Sequence, residues 1–173
     1  MSWLHRLFRP HVELPPALAR RVYAWRGLPP VPERTALAET RFIVVDVETT
    51  GLDPRRDRLL SIGACMVENF HVLPGANFEW ILRHEQAIGT RENILIHGLG
   101  PAAQAAGVAH EGALMEFLEY AGKAPLVAFH AAFDQAVLDR ALRTGLGLRL
   151  LNPWLDLAPL APVLVPEARL SHK

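Results

Sequence analysis

From residue 42 onward the chain alternates short β-branched apolar runs with stripes of helical spacing. Phe42-Ile-Val-Val-Asp46 is closed by a Thr-Thr-Gly-Leu-Asp-Pro stretch, which predicts a buried strand running into a turn. Residues 59–67 and 77–82 read as two further strands, joined by a short connection that contains Pro74-Gly75. Three strands joined this closely predict an antiparallel meander. After a linker, Leu114, Phe117, Leu118 and Ala121 mark an amphipathic helix ending near Gly122. Residues 126–129 predict a fourth strand. Phe133, Val137 and Ala141, with Leu138 and Leu142 beside them, predict a helix ending near Gly145, and a fifth short strand falls at 153–155. A helix between strands requires at least one parallel crossover, so the pattern is that of a mixed α/β domain.

Residues 1–40 have a different texture. Trp3, Leu4, Leu7 and Phe8 recur at helical spacing, and Leu18, Val22 and Trp25 do so again in a stretch opened by Pro15-Pro16 and ended by Pro29, Pro30 and Pro32. We read 1–40 as a basic helical extension and 41–173 as the main domain. The extension either packs its apolar faces on that domain or docks a protein partner. The chain's zero net charge hides this division: residues 1–41 hold seven Arg against three Glu, whereas 42–173 hold eleven basic against fifteen acidic residues. The acidic body is no general polyanion binder. If it handles nucleic acid it does so at a defined site, with cations offsetting its own carboxylates.

Composition removes several classes. Half the residues are apolar and 21% are charged, which excludes a wholly disordered chain. The longest apolar stretch, 157–166, is ten residues with three prolines, short of the ~20 that cross a bilayer. One cysteine, Cys65, excludes an internal disulfide framework and is expected in the core; with no signal-like start, the expectation is a cytoplasmic protein with no membrane partner.

The chemistry gathers around Asp46-Val-Glu48. Residues i and i+2 of a strand point to one side, so these two carboxylates stand together at the strand's carboxyl end. Asp134 sits in the first turn of the helix that follows 126–129. If the first and fourth strands are parallel neighbours, Asp46, Glu48 and Asp134 converge where open α/β sheets place their sites. Three such carboxylates repel unless cations neutralise them, and oxygen ligands with retained waters suit Mg²⁺. Taken alone, Asp134 could instead simply favour the helix N-terminus.

Val-Val-Asp46-Val-Glu48-Thr-Thr-Gly-Leu-Asp, Asp57-Arg-Leu-Leu-Ser-Ile-Gly, Ile96-His97-Gly98-Leu99 and Phe129-His130-Ala-Ala-Phe133-Asp134 together resemble the DEDD 3′–5′ exonucleases, in order, over residues 42 to about 166. Within that group the likeness is to proofreading epsilon subunits of DNA polymerase III and their stand-alone relatives. The resemblance implies a ribonuclease H-like fold, a mixed five-stranded sheet with its first three strands antiparallel, flanked by helices. It implies removal of nucleoside 5′-monophosphates from single-stranded DNA or RNA 3′ ends. Two Mg²⁺ or Mn²⁺ ions, roughly 4 Å apart, would activate a water and stabilise the attacking and leaving oxygens. In that scheme Asp46 bridges the metals, Glu48 assists a metal or the water, and Asp134 holds the second metal. Thr49, Thr50 and Leu52 would line the terminal nucleotide's pocket, and His97 and Phe133 would contact the strand end.

The family's third motif, His-x4-Asp or Tyr-x3-Asp, is not in the chain. Five places after the histidines stand Pro10, Pro16, Ala76, Gly89, Ala102, Met115 and Gln135, with His172 too close to the end; four after the tyrosines stand Gly27 and Ala124. In the histidine form that motif supplies a general base and a fourth ligand, so the chain as written is expected to be weakly active, with the motif lying beyond Lys173. Asp156 is expected to cap a helix rather than serve as a fourth ligand, and His130 to be structural. The competing reading is a catalytically silent nucleic-acid-binding or adaptor module that keeps the fold.

Overall fold

A computed structural model describes residues 12–165, apart from 33 and 87; the Trp3–Phe8 stripe and residues 166–173 lie outside the described residues. The order of elements is α1 (Pro16–Arg26), β1 (Phe42–Thr49), β2 (Leu59–Glu68), β3 (His71–Val72), β4 (Phe78–Ile81), α2 (Arg91–His97), α3 (Pro101–Ala106), α4 (His110–Ala121), β5 (Leu126–Ala128), α5 (Ala132–Leu146), β6 (Trp154–Asp156) and α6 (Ala161–Leu164).

The sheet is mixed, as expected, with six strands instead of five. Its order is β3-β2-β1-β5-β6, and β4 shares the outer edge of β2 with β3. β1, β2 and β4 form the antiparallel meander, while β5 and β6 join in parallel. The extra strand, β3, is two residues long and completes a hairpin with Val67 and Glu68. So short a strand leaves no alternation to read.

Alternation along β1 decides the layers. Ile43, Val45, Val47 and Thr49 are buried, whereas Val44, Asp46 and Glu48 face the other way. The buried side meets α4 through Leu114, Phe117 and Leu118 and α5 through Val137, Leu138 and Leu142. The α5 helix runs past the expected stop at Gly145 to Leu146 and ends at Gly147, in the left-handed conformation. Gly145 lies inside the helix, where Leu114 packs closely: a Cβ would meet its Cδ1 at 3.0 Å.

The first helix joins the same core. Val22 and Trp25 are buried, the Trp25 indole N–H donates to the Gly122 carbonyl at 3.0 Å, and Arg21 makes a two-pronged pair with Glu119 at 2.8 and 2.6 Å. The stretch read as a linker before Leu114 contains α2 and α3. Leu95 and Ile96 of α2 are largely exposed and α3 is mostly alanine, so neither carries the apolar stripe that announces a helix.

Between them runs a tie that sequence spacing does not reveal. The fully buried Gln104 side chain accepts the Ile88 N–H at 2.9 Å and donates to the carbonyls of Ile88 (3.0 Å) and Leu99 (2.8 Å). It stands in for a strand partner, fixing both ends of the segment that carries α2.

Candidate active site

The β1–β5 ladder ends at Val44 and Val127. Beyond that point the Val47 N–H turns to Asp134, whose Oδ1 accepts it at 3.2 Å. Asp134 lies in the first turn of α5, as its spacing predicts, and is only 4% exposed. Burial, with repulsion from Asp46, pushes its carboxyl up to about 6 despite the Val47 hydrogen bond. Among the described residues no cationic side chain pairs with it.

Glu48 is half-buried, and its Oε2 lies 2.6 Å from Nδ1 of His97, at the end of α2. Burial raises the Glu48 carboxyl above its ordinary range, His97 lowers it, and Asp46 raises it again. Asp46 therefore repels both other carboxylates from its exposed place on β1. Together with Glu79, Glu48, Asp46 and His97 line a groove of about 440 Å³ on the sheet face opposite the core. Its floor includes the small residues Ser61 and Gly63, and no Lys or Arg lines it. Cys65, expected in the core, is half-exposed on this floor, because β2 places it opposite Val44 on the groove side.

The turn after β1 is fastened from within. The Thr49 hydroxyl donates to the Gly51 carbonyl at 2.5 Å, and the Thr50 hydroxyl donates to Asp57 Oδ1 at 2.9 Å while accepting the Arg58 N–H. Asp57 Oδ2 accepts the Asp53 N–H at 2.7 Å, and Arg140 of α5 donates to the Asp57 carbonyl. Gly51 leaves room for the Asp57 carboxylate, since a Cβ there would sit 2.6 Å from Asp57 Oδ2 and push it from its place. Both threonine hydroxyls are thus engaged within the turn. Leu52 is 90% exposed beside them, whereas Phe133 is half-buried against the core.

Asp156 ends β6 and caps no α-helix, since α6 starts five residues later. Its Oδ1 accepts the N–H groups of Ala158 (2.9 Å) and His130 (3.0 Å). Those bonds, that of Ala158 foremost, hold its carboxyl below the ordinary range. The His130 bond pins the β5–α5 turn, where His130 is left-handed (φ 59°) and its exposed ring leans edge-on against Phe129. His130 acts through its backbone.

The donor set suits a hard divalent cation. Asp46 and Asp134 are a pair of carboxylates with no cationic partner among the described residues, and a cation there would offset the burial and the Asp46 repulsion that raise Asp134. Glu48 is turned onto His97, and among the described residues no three His, Cys, Asp or Glu side chains are gathered closely enough to hold a metal ion. Asp46 and Asp134 are therefore the pair that fits, with Glu48 adjacent.

This mixed α/β fold, with acidic groups at the end of β1, has counterparts among known proteins. Exonuclease I in its apo form superimposes with a TM-score of 0.62 at 19% identity, over 75% of this chain and 32% of that one. Exonuclease I of E. coli solved with a 5cy-dA13 oligonucleotide gives 0.61 at 19% identity. These share the ribonuclease H-like fold. The exonuclease family model RNase_T matches residues 43–170, and the chain belongs to that family. Among relatives, DNA polymerase III subunit epsilon of Rickettsia conorii is 32% identical over 139 residues, 77% of this chain and 59% of that protein. A PolC-type DNA polymerase III of Clostridium perfringens is 26% identical over 139 residues, 76% of this chain and 9% of that protein.

Proposed function

We propose that this chain is a divalent-metal-dependent 3′–5′ exonuclease acting on single-stranded DNA or RNA ends and releasing nucleoside 5′-monophosphates. The observation that carries the reading is Asp134, a buried carboxylate held on the Val47 N–H beside Asp46 with no cationic partner among the described residues. Asp46 and Asp134 would hold Mg²⁺ or Mn²⁺, with Glu48 joining when it leaves His97. The metal ions would supply an activated water and stabilise charge on the attacking and leaving oxygens. The chain's own residues orient and bind. Val47 fixes Asp134, the braced turn of Thr49 and Thr50 offers Leu52 as an apolar surface for the terminal base, and His97 lines the groove with its Nδ1 on Glu48. Phe133 supports the site from its place against the core, with its remaining exposed edge available to the strand.

No His-x4-Asp occurs in residues 1–173. Without that base we expect turnover lower by about 10²–10⁴ than in family members that have one. The test is digestion of a 5′-labelled single strand with Mn²⁺ and its loss in Asp46→Ala. Slow trimming to a ladder of 5′-labelled products is the expected result, and equal activity in the variant would sink the assignment. The missing motif is also what favours the second reading, a silent nucleic-acid-binding module, which requires strand binding with no products from the wild-type chain.

A further inference from the structure

The groove beside Asp46 is lined by Asp46, Glu48 and Glu79 and by no Lys or Arg, and Asp134 lies outside it, yet the proposed substrate is a polyanion. Cationic groups that grip its backbone must stand outside the groove. The turn after β1 carries three arginines in four positions, Arg55, Arg56 and Arg58, all exposed. It begins two residues after Glu48, and Thr50 and Arg58 face each other across it through the Thr50 N–H to Arg58 carbonyl bond of 3.0 Å. The turn's acids are turned inward or spoken for. The Asp57 carboxylate takes the Thr50 hydroxyl and the Asp53 N–H, and Asp53 Oδ1 takes the Arg55 N–H at 2.9 Å. Among the described residues Arg56 is the one of the three whose guanidinium pairs with an acid, Asp53 Oδ2 at 3.8 Å, and its side chain is 88% exposed. Arg55 and Arg58 have no ion-pair partner among the described residues.

We infer that Arg55, Arg56 and Arg58 form a phosphate-gripping ridge that holds the backbone of the single strand beside the β1 carboxylates. This rests on the proposed nuclease reading, and it adds where the strand's charge is met. The bracing gives the ridge its use. A turn tied by Asp57, Thr50 and Arg140 holds the backbone from which the three arginines project, so less backbone freedom is lost when the strand binds. Contacts of this kind position a strand and carry no sequence preference.

The experiment measures binding of a fluorescent single strand ended by phosphorothioate linkages, at fixed Mn²⁺, across about 50–200 mM salt. It compares wild type, Arg55→Ala/Arg56→Ala/Arg58→Ala, the corresponding triple lysine variant, and Arg20→Ala/Arg26→Ala on α1. Each phosphate neutralised on a single strand contributes about 0.7 to the slope of log K against log salt, so the triple alanine variant is expected to lose about 2 from that slope. The lysine variant should recover it, and the α1 variant should match wild type. An unchanged slope in the triple alanine variant overturns the ridge while leaving the nuclease reading intact. So does an equal loss in the α1 variant, which would assign the grip to general charge. A wild-type chain that binds no strand overturns both.

Discussion

Asp134→Asn separates what the site costs the fold from what it does. In the metal-free chain the Asp134 carboxyl is pushed from 3.8 up to about 6, first by burial and then by Asp46. A folded pKa above the unfolded one means that the folded state keeps the proton longer. Stability from this group is complete below about pH 3.8 and is lost as pH rises through about 6. A shift of about two pH units corresponds to about 3 kcal/mol at pH 7.5. An asparagine oxygen can still accept the Val47 N–H, so the variant keeps the hydrogen bond and removes the charge. At about 2–4 °C per kcal/mol for a chain of this size, its melting temperature in chelator at pH 7.5 should exceed wild type by about 6–12 °C. The gain should fade toward pH 4. With Mn²⁺ the order should narrow or reverse, since a ligand at 100 times its Kd stabilises the wild-type fold by about 2.7 kcal/mol and the variant has lost a ligand. Scanning fluorimetry between pH 4 and 8, with and without metal, gives every one of these numbers. A variant that melts at or below wild type in chelator at pH 7.5 would refute the account of a buried, repelled carboxylate.

Other outcomes test the surroundings of the site. Gln104→Leu leaves the Ile88 N–H and the Leu99 carbonyl without their partner and should cost about 2–4 kcal/mol, with faster amide exchange at Ile88 as the local signature. His84 is buried against the Leu59 carbonyl, and burial foremost, then the charges of His110 and Arg58, lower its pKa. The unfolded chain therefore takes up a proton as pH falls through 6.5 and the folded one resists. Stability contributed here is present above 6.5 and lost below it, and His84→Gln should flatten that acid limb in denaturant titrations followed from pH 7 to 5. Removing the His97 ring by His97→Ala takes away the partner that lowers Glu48, so the Glu48 carboxyl should titrate higher by carboxyl-carbon NMR; an unmoved titration would mean that the 2.6 Å contact does not persist in solution.

Residues whose role follows from local periodicity were legible in the sequence. Asp46 and Glu48 stand out because the alternation of β1 is strict on either side of them, and Asp134 because its place in the apolar phase of α5 aims it at the sheet. Cys65 was misplaced for a related reason. An apolar strand with neighbours on both edges reads as core throughout, and only the layering reveals that one of its faces is the floor of a groove. The engagement of His97 with Glu48 was not legible, since it depends on how a segment of some thirty residues folds back over the sheet. Gln104, which ties that segment down, sits among alanines with no pattern around it. Asp156 illustrates a third limit: an acid before a proline has the form of a cap, and the N–H it takes from His130 comes from 26 residues away.

The seating of α1 also dictates an order of events. Its ties run to α4, with the Trp25 indole and the Arg21 guanidinium bonding 97 and 98 residues further along the chain. At synthesis rates of about 5–20 residues per second, the apolar side of this helix waits about 5–20 seconds for its seat to exist. This helix thus cannot settle until α4 has been made, and for that interval Val22 and Trp25 are the surface a chaperone would meet.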